Sequence, residues 1–369
     1  MKKILLSIMI FGMVLSGCQK EKQRFSDICY DCGFNTVWNW ILYTEDEKIY
    51  DEYVSEIYTY ANKYHRLFDI YNNYEGINNI KTINDNAGIA PVKVESEIIE
   101  LIEMAKEMYE LSDGLFDITQ GSLLRVWHNY REEGKALNAD GEYGNLPSEE
   151  ELLEASQYHG FEHIIIDKED STVYIDDPNV SLDVGGIAKG FAVEKIAEKL
   201  QEDGITNGSV VGGGNVRTIN DKGDGTPWGV GINDPRSTDA YSYEGITNVY
   251  LTENNSVVTS ADNFNYYLVE GDQKMHHIIN PKTLYPSDYY MSVSIITPHS
   301  GLADALSTSL FNMTIEEGLA FIEKVSDYYD TSVDVLWVLK EDNSEDVEVE
   351  IINDLRIYMT EGFREYTNK

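Results

Sequence analysis

Between Val180 and Leu200 the chain reads Val-Ser-Leu-Asp-Val-Gly-Gly-Ile-Ala-Lys-Gly and then Phe-Ala-Val-Glu-Lys-Ile-Ala-Glu-Lys-Leu. The apolar lead-in predicts a short strand over residues 180–183. In the helix expected after it, Val193, Ile196, Ala197 and Leu200 fall at i, i+3, i+4 and i+7. Gly185 and Gly186 carry no side chain, so the backbone can turn sharply and lie close to a bound group. The first turn of the helix offers free N–H groups beside the cation Lys189. Such an arrangement suits a phosphate, and an ordinary strand-to-helix turn would use the same glycines for geometry alone.

The first residues speak to compartment. Lys2 and Lys3, an apolar run from Ile4 to Leu15 and then Ser16-Gly17-Cys18 resemble a lipoprotein signal. The run is too short to span a bilayer, so residues 1–17 read as a cleaved signal peptide and Cys18 as the acceptor of a diacylglyceryl anchor. The expected location is extracytoplasmic, on a bacterial cell membrane. A formal net charge of −37 and the lack of a basic cluster argue against nucleic acid as a partner. Cys29 and Cys32 form a lone Cys-Tyr-Asp-Cys with no further zinc ligands nearby, which leaves a local disulfide or two free thiols in a tether over residues 18–32. From Gly33 to Lys369 no linker or repeat divides the chain. Its 42% hydrophobic content is enough for one large domain, with room for two lobes.

Periodicity predicts a strand over 35–43 and helices over 48–71 and 96–111. An aromatic-rich helix is expected from the Gly114-Leu115-Phe116-Asp117 segment through Trp127. Short strands are expected at 163–166, 172–175 and 180–183, then at 208–211, 228–232, 249–251, 257–259, 266–269, 277–279 and 292–297, with helices at 301–312 and 315–325. Long helices and short strands without regular βαβ alternation imply α+β, with a mixed, largely antiparallel sheet and flanking helices.

Two further clusters carry chemistry. Asp304 and Thr308 stand at i, i+4 on an expected helix and present two hard oxygen ligands on one face, suited to Mg2+. A dipole-stabilising acid beside a solvated Thr would have the same spacing. His277, flanked by His276 and Ile278, is open to packing, metal binding or catalysis. Gly212-Gly213-Gly214-Asn215 is a third glycine-rich turn, after an apolar strand.

Taken together and in order, Asp183-Val-Gly-Gly-Ile-Ala-Lys-Gly190, Gly114-Leu-Phe-Asp117, Gly213-Gly-Asn215, Val258-Thr-Ser260, His277-Ile-Ile-Asn-Pro281 and Asp304-Ala-Leu-Ser-Thr308 resemble the ApbE family of flavin transferases. The resemblance runs from about Gly33 to the C-terminal strands and implies a T-fold-like α+β core. It implies Mg2+-dependent transfer of FMN from FAD to a Ser or Thr hydroxyl of an acceptor protein, with release of AMP. Acceptors would be exported or membrane-bound redox proteins such as electron-transfer subunits. By motif position, Asp304, Thr308 and the Gly186 carbonyl would hold the metal, and His277 would be the base. Phe34, Leu115, Phe116, Asp117, Asp183, Lys189 and Ile278 would contact FAD. Rival readings are an FAD pyrophosphatase, with water as nucleophile, and a non-catalytic FAD-binding lipoprotein.

Overall fold

The computed structural model describes residues 21–237, 245–341, 343, 345 and 347–367. Cys18 and the signal-like segment lie outside the described residues. Strands are β1 (Gln23–Cys29), β2 (Trp38–Thr44), β3 (Val92–Lys93), β4 (Ile164–Asp167), β5 (Thr172–Ile175), β6 (Gly208–Gly212), β7 (Asn215–Ile219), β8 (Trp228–Asn233), β9 (Gly245–Leu251), β10 (Ser256–Ala261), β11 (Tyr266–Val269), β12 (Gln273–His276), β13 (Tyr290–Thr297), β14 (Asp334–Leu339), β15 (Glu350–Ile352) and β16 (Leu355–Met359). Helices are α1 (Glu47–Phe68), α2 (Ile80–Asp85), α3 (Ser96–Leu111), α4 (Gly121–Ala139), α5 (Glu149–Ala155), α6 (Ala188–Glu202), α7 (Ser300–Phe311), α8 (Ile315–Tyr329) and α9 (Glu361–Thr367).

Nine strands form the main sheet in the order β1-β2-β6-β7-β10-β13-β14-β16-β15. Every pairing in it is antiparallel. The fold is thus α+β, as expected. Its strands read both faces at once. In β14, Val335, Trp337 and Leu339 face the helices, while Leu336 and Val338 face the β8–β9 hairpin and α9. Alternation of this kind places each side chain of a strand on the opposite face from its neighbours.

Two helices matter most for position. α7 is buried almost all round although it carries Asp304, Ser307 and Ser309, so its polar groups must find partners inside the protein. Its start is fixed by the buried Glu194 of α6, whose Oε2 accepts from the Ser300 N–H while Arg217 Nε donates to the same carboxylate at 3.0 Å. A carboxylate at a helix N-terminus is favoured by the dipole, and the paired guanidinium offsets the cost of burying it. α6 and α7 approach so closely at Gly190 that a Cβ there would lie 2.5 Å from the Asp304 Cβ and run into the Ser300 carbonyl.

Several expectations change. The segment expected as a tether over residues 18–32 contains β1, an edge strand paired with β2 from Gln23–Thr44 to Cys29–Trp38. Cys29 and Cys32 are joined as a disulfide. Residues 180–183 are not a strand: one parallel bridge, Gln120 to Ser181, is all the pairing they make. Residues 277–279 also fall outside the strand, since β12 stops at His276. The aromatic helix begins only at Gly121, and Leu115–Asp117 is a buried turn before it. In each case the apolar pattern marks burial, and a short buried segment without a pairing partner has the same pattern as a strand.

Candidate active site at the Gly186 loop and α7

The loop before α6, the N-terminal part of α6 and one face of α7 meet in a single cluster. A Cβ built on Gly186 would stand 3.2 Å from Thr308 Oγ1 and 3.1 Å from the Phe116 ring. The loop therefore passes directly over the Thr308 hydroxyl, and glycine is what lets it do so. One turn earlier on α7, Asp304 Oδ2 accepts the Gly190 N–H at 2.8 Å and lies 3.8 Å from Lys189 Nζ. Lys189 also reaches back to the Gly185 carbonyl at 3.4 Å. Asp304 is 4% exposed, and burial raises its carboxyl pKa against the opposing pull of Lys189 and the Gly190 N–H.

The expected metal ligands are thus brought together. Among the described residues no three His, Cys, Asp or Glu side chains gather as a metal cluster. What converges is one carboxylate, one hydroxyl and a glycine backbone. Among the described residues the Thr308 hydroxyl and the second Asp304 oxygen make no hydrogen bond. A buried carboxylate kept beside an unpartnered hydroxyl is a hard-oxygen donor set that a small divalent cation fits.

Asp183 ties the loop to the Leu115–Asp117 turn. Its N–H donates to the Ile118 carbonyl at 2.7 Å, and its Oδ1 accepts the Gly185 N–H at 2.9 Å. The side chain is half-buried, and desolvation raises its pKa against the lowering by the Gly185 N–H, Arg131, His128 and Arg125. Asp117 is closed off within the protein. Its Oδ1 accepts from the Thr119 N–H and hydroxyl at 2.8 and 2.6 Å, and its Oδ2 faces His159 Nδ1 at 3.1 Å. Leu115 and Phe116 are also buried, so this turn can meet a ligand through backbone and the Phe116 ring edge rather than through the carboxylate.

His277 lies just after β12, on a loop docked against the end of α7. Ser287 Oγ donates to the Phe311 carbonyl at 2.6 Å, and Asn312 Nδ2 reaches the carbonyls of Ile279 and Thr308, each at 3.4 Å. Beneath it His276, 1% exposed, donates from Nε2 to the Ser287 carbonyl at 2.7 Å and accepts the Ile278 N–H on Nδ1 at 3.2 Å. Those two bonds require a neutral His276 with its proton on Nε2. The His277 ring itself is exposed. Desolvation by the protein around it, then His276, Arg131, Lys189 and Lys135, push its pKa below the usual imidazole range. An imidazole of low pKa is neutral and able to accept a proton at neutral pH.

Ile278 is buried in the same loop, its carbonyl accepting the Ser287 N–H at 3.0 Å. Phe34 stands apart. It sits at φ 57°, donates its N–H to His65 Nδ1 at 3.1 Å and packs on Trp38 and His65. Among the described residues no hydrogen bond or ring contact joins it to the Gly186 cluster. Three supporting residues escaped the sequence reading: His276, His159 and Asn312. Only His276 had a signal there, as the first member of the His-His pair.

A buried carboxylate, a neighbouring hydroxyl and a glycine backbone thus converge between two helices of an antiparallel α+β protein, with the loop that carries His277 docked against the end of α7. The ApbE family model matches residues 34–331, and the chain belongs to the ApbE family. The FAD:protein FMN transferase of Haemophilus influenzae is 27% identical over 337 residues, 88% of this chain and 91% of its own. That of Vibrio cholerae is 28% identical over 336 residues, 90% and 92%. The crystal structure of the ApbE protein from Thermotoga maritima superposes with a TM-score of 0.74 at 28% identity, covering 94% of this chain and all of that one. The flavin transferase ApbE of Vibrio cholerae shares the fold with a TM-score of 0.71. The chain is a transferase enzyme by that membership.

Proposed function

We propose that this protein is a Mg2+-dependent FAD:protein FMN transferase that modifies a Ser or Thr hydroxyl of exported or membrane-bound acceptor proteins and releases AMP. The observation that carries the reading is the convergence of Gly186, Asp304 and Thr308 opposite the loop that holds His277. The names of the matched relatives support the flavin and the protein acceptor. Mg2+ held by Asp304, Thr308 and the Gly186 carbonyl would supply fixed positive charge against the diphosphate oxygens. Lys189, beside the carboxylate, adds a cation to the same surface. His277 accepts the proton of the acceptor hydroxyl as its oxygen attacks the flavin-side phosphorus. The phosphoester forms, the anhydride bond breaks, and AMP departs with the electron pair of that bond. Asp183 and the Leu115–Asp117 turn, linked backbone to backbone, would form the FAD-facing wall with Ile278, and Phe34 would contribute from the α1 side.

We also propose that the chain is exported and anchored through Cys18, with residues 1–17 removed. The Cys29–Cys32 disulfide supports this reading, because such bonds persist in oxidising compartments. Incubation with FAD, Mg2+ and an acceptor protein should give a fluorescent protein band that survives denaturation. Free FMN and AMP without acceptor labelling would favour a pyrophosphatase instead, and tight FAD binding without AMP release a carrier.

A further inference from the structure

A protein of net charge −37 places four basic side chains along one side of α4. Arg125, His128, Arg131 and Lys135 are spaced three, three and four residues apart, which keeps them within about a third of the helix circumference. They are dispersed in sequence, so no basic cluster was visible there. The helix runs from the Asp183 segment toward the β11–β12 hairpin. It starts beside the Asp183 segment, where the Gly121 N–H donates to the Ser181 carbonyl at 2.9 Å. Farther along, Trp127 Nε1 donates to the Leu284 carbonyl at 2.8 Å, and Gly134 packs on the Tyr267 ring of β11, whose hairpin partner β12 leads into His277.

Arg131 is the unusual member. It is 9% exposed, its Nε has no hydrogen-bond partner, and among the described residues no carboxylate pairs with it. Among the described residues its one side-chain hydrogen bond is Nη2 with His128 Nδ1 at 3.3 Å. Buried guanidinium groups are ordinarily paired, because an uncompensated buried charge is costly. The charge of Arg131 acts on both Asp183 and His277. Lys135 is engaged by Glu132 and Asn265, and Arg125 is exposed, so the unmet demand is at Arg131.

We propose that Arg131, backed by His128, is an anion-binding residue of this site that takes the diphosphate of the dinucleotide substrate. The inference rests on the function proposed above and adds a chain residue that the motifs do not contain. A planar fork of N–H donors suits a diphosphate, and burial strengthens each bond. Glu132 and Asp183 act on its charge only at a distance, so among the described residues the fork of N–H donors has no hydrogen-bonded anion until the ligand arrives.

The test is titration of wild type, R131Q and R131K with FAD, ADP and riboflavin in the presence of Mg2+, together with the melting temperature of each ligand-free protein. R131Q should weaken FAD and ADP about 10- to 100-fold and leave riboflavin, which has no phosphate, within about twofold. Ligand-free R131Q should melt no lower than wild type, since an unpaired buried charge has been removed. FAD and ADP affinities unchanged in R131Q would overturn the proposal, as would an equal loss for riboflavin. Loss of acceptor-protein binding with dinucleotide affinity intact would assign Arg131 to the acceptor and overturn it as well. If R131Q does not fold, R131K, which keeps the charge but loses the fork, must still weaken ADP by more than about threefold and spare riboflavin. A wild-type protein that binds no FAD would refute the function itself, whereas wild-type binding with unaffected variants would refute only the role of Arg131.

Discussion

Gly190→Ala is the sharpest probe of how the site is held. Gly190 lies inside α6, where helix propensity alone would make alanine better by up to about 1 kcal/mol. The packing opposes this. A Cβ at that position would lie 2.5 Å from the Asp304 Cβ and collide with the Ser300 carbonyl. Carbon atoms rest at about 3.5–4.0 Å, so α6 and α7 would have to separate by roughly 1 Å. Backbone cannot swing aside as a flexible side chain does, and overpacking of this kind costs about 1–3 kcal/mol, more than the propensity gain. The Gly190 N–H to Asp304 bond lengthens with the same movement, and Asp304 retreats from Gly186. A misplacement of about 1 Å at reacting groups costs on the order of 100-fold in rate. Gly190→Ala should therefore lose a few degrees of melting temperature and about two orders of magnitude of FMN transfer, measured by thermal denaturation and in-gel flavin fluorescence. Gly185→Ala is the control, because that residue is exposed and its Cβ would meet only Asp183 Oδ1, at 3.1 Å. A Gly190→Ala protein as stable and as active as wild type would refute the helix–helix contact as what sets the metal-side geometry.

Four other outcomes are expected. His277→Ala should lower transfer by about 100- to 10,000-fold while FAD affinity, read by fluorescence quenching, stays within a few-fold. Because the pKa of His277 is pushed down, wild-type transfer should stay level from neutral pH into the mildly acidic range, not fall near the ordinary imidazole pKa. Asp304→Asn should retain the Gly190 hydrogen bond and the fold but need far more Mg2+ for activity, read as a right-shifted metal titration. Buried His276 has its pKa lowered to about 4, so the unfolded chain binds the proton first as pH falls. Stability should be full above about 6.5 and decline by up to about 3 kcal/mol as pH drops to about 4, and denaturant titrations of wild type and His276→Gln should differ in that slope.

The separate halves of the site were unequally legible in the sequence. Asp304 and Thr308 could be placed on one helix face from spacing alone, and Gly185-Gly186 marked a close approach that the Thr308 contact now explains. Asp183 was legible as the acid that ends an apolar segment but not as the link to Ile118, since a single backbone bond across some 65 residues leaves no local pattern. Asp117 shows a different limit. Motif position marked it as a ligand contact, yet its oxygens are occupied by Thr119 and His159, which only tertiary structure brings near. Arg131 was lost for a third reason: charge counted along the chain dilutes a stripe that exists only at helical period. Among the strands, 180–183 and 277–279 were overread because apolarity reports burial before it reports pairing.

One experiment bears most directly on the whole account: purified protein, FAD and Mg2+ are mixed with an acceptor protein, and the acceptor mass is read alongside released AMP. The acceptor should gain one FMN unit on a Ser or Thr for each AMP released, with labelling by His277→Ala slowed by about 100-fold or more. AMP and free FMN in equal amounts with an acceptor of unchanged mass would contradict it.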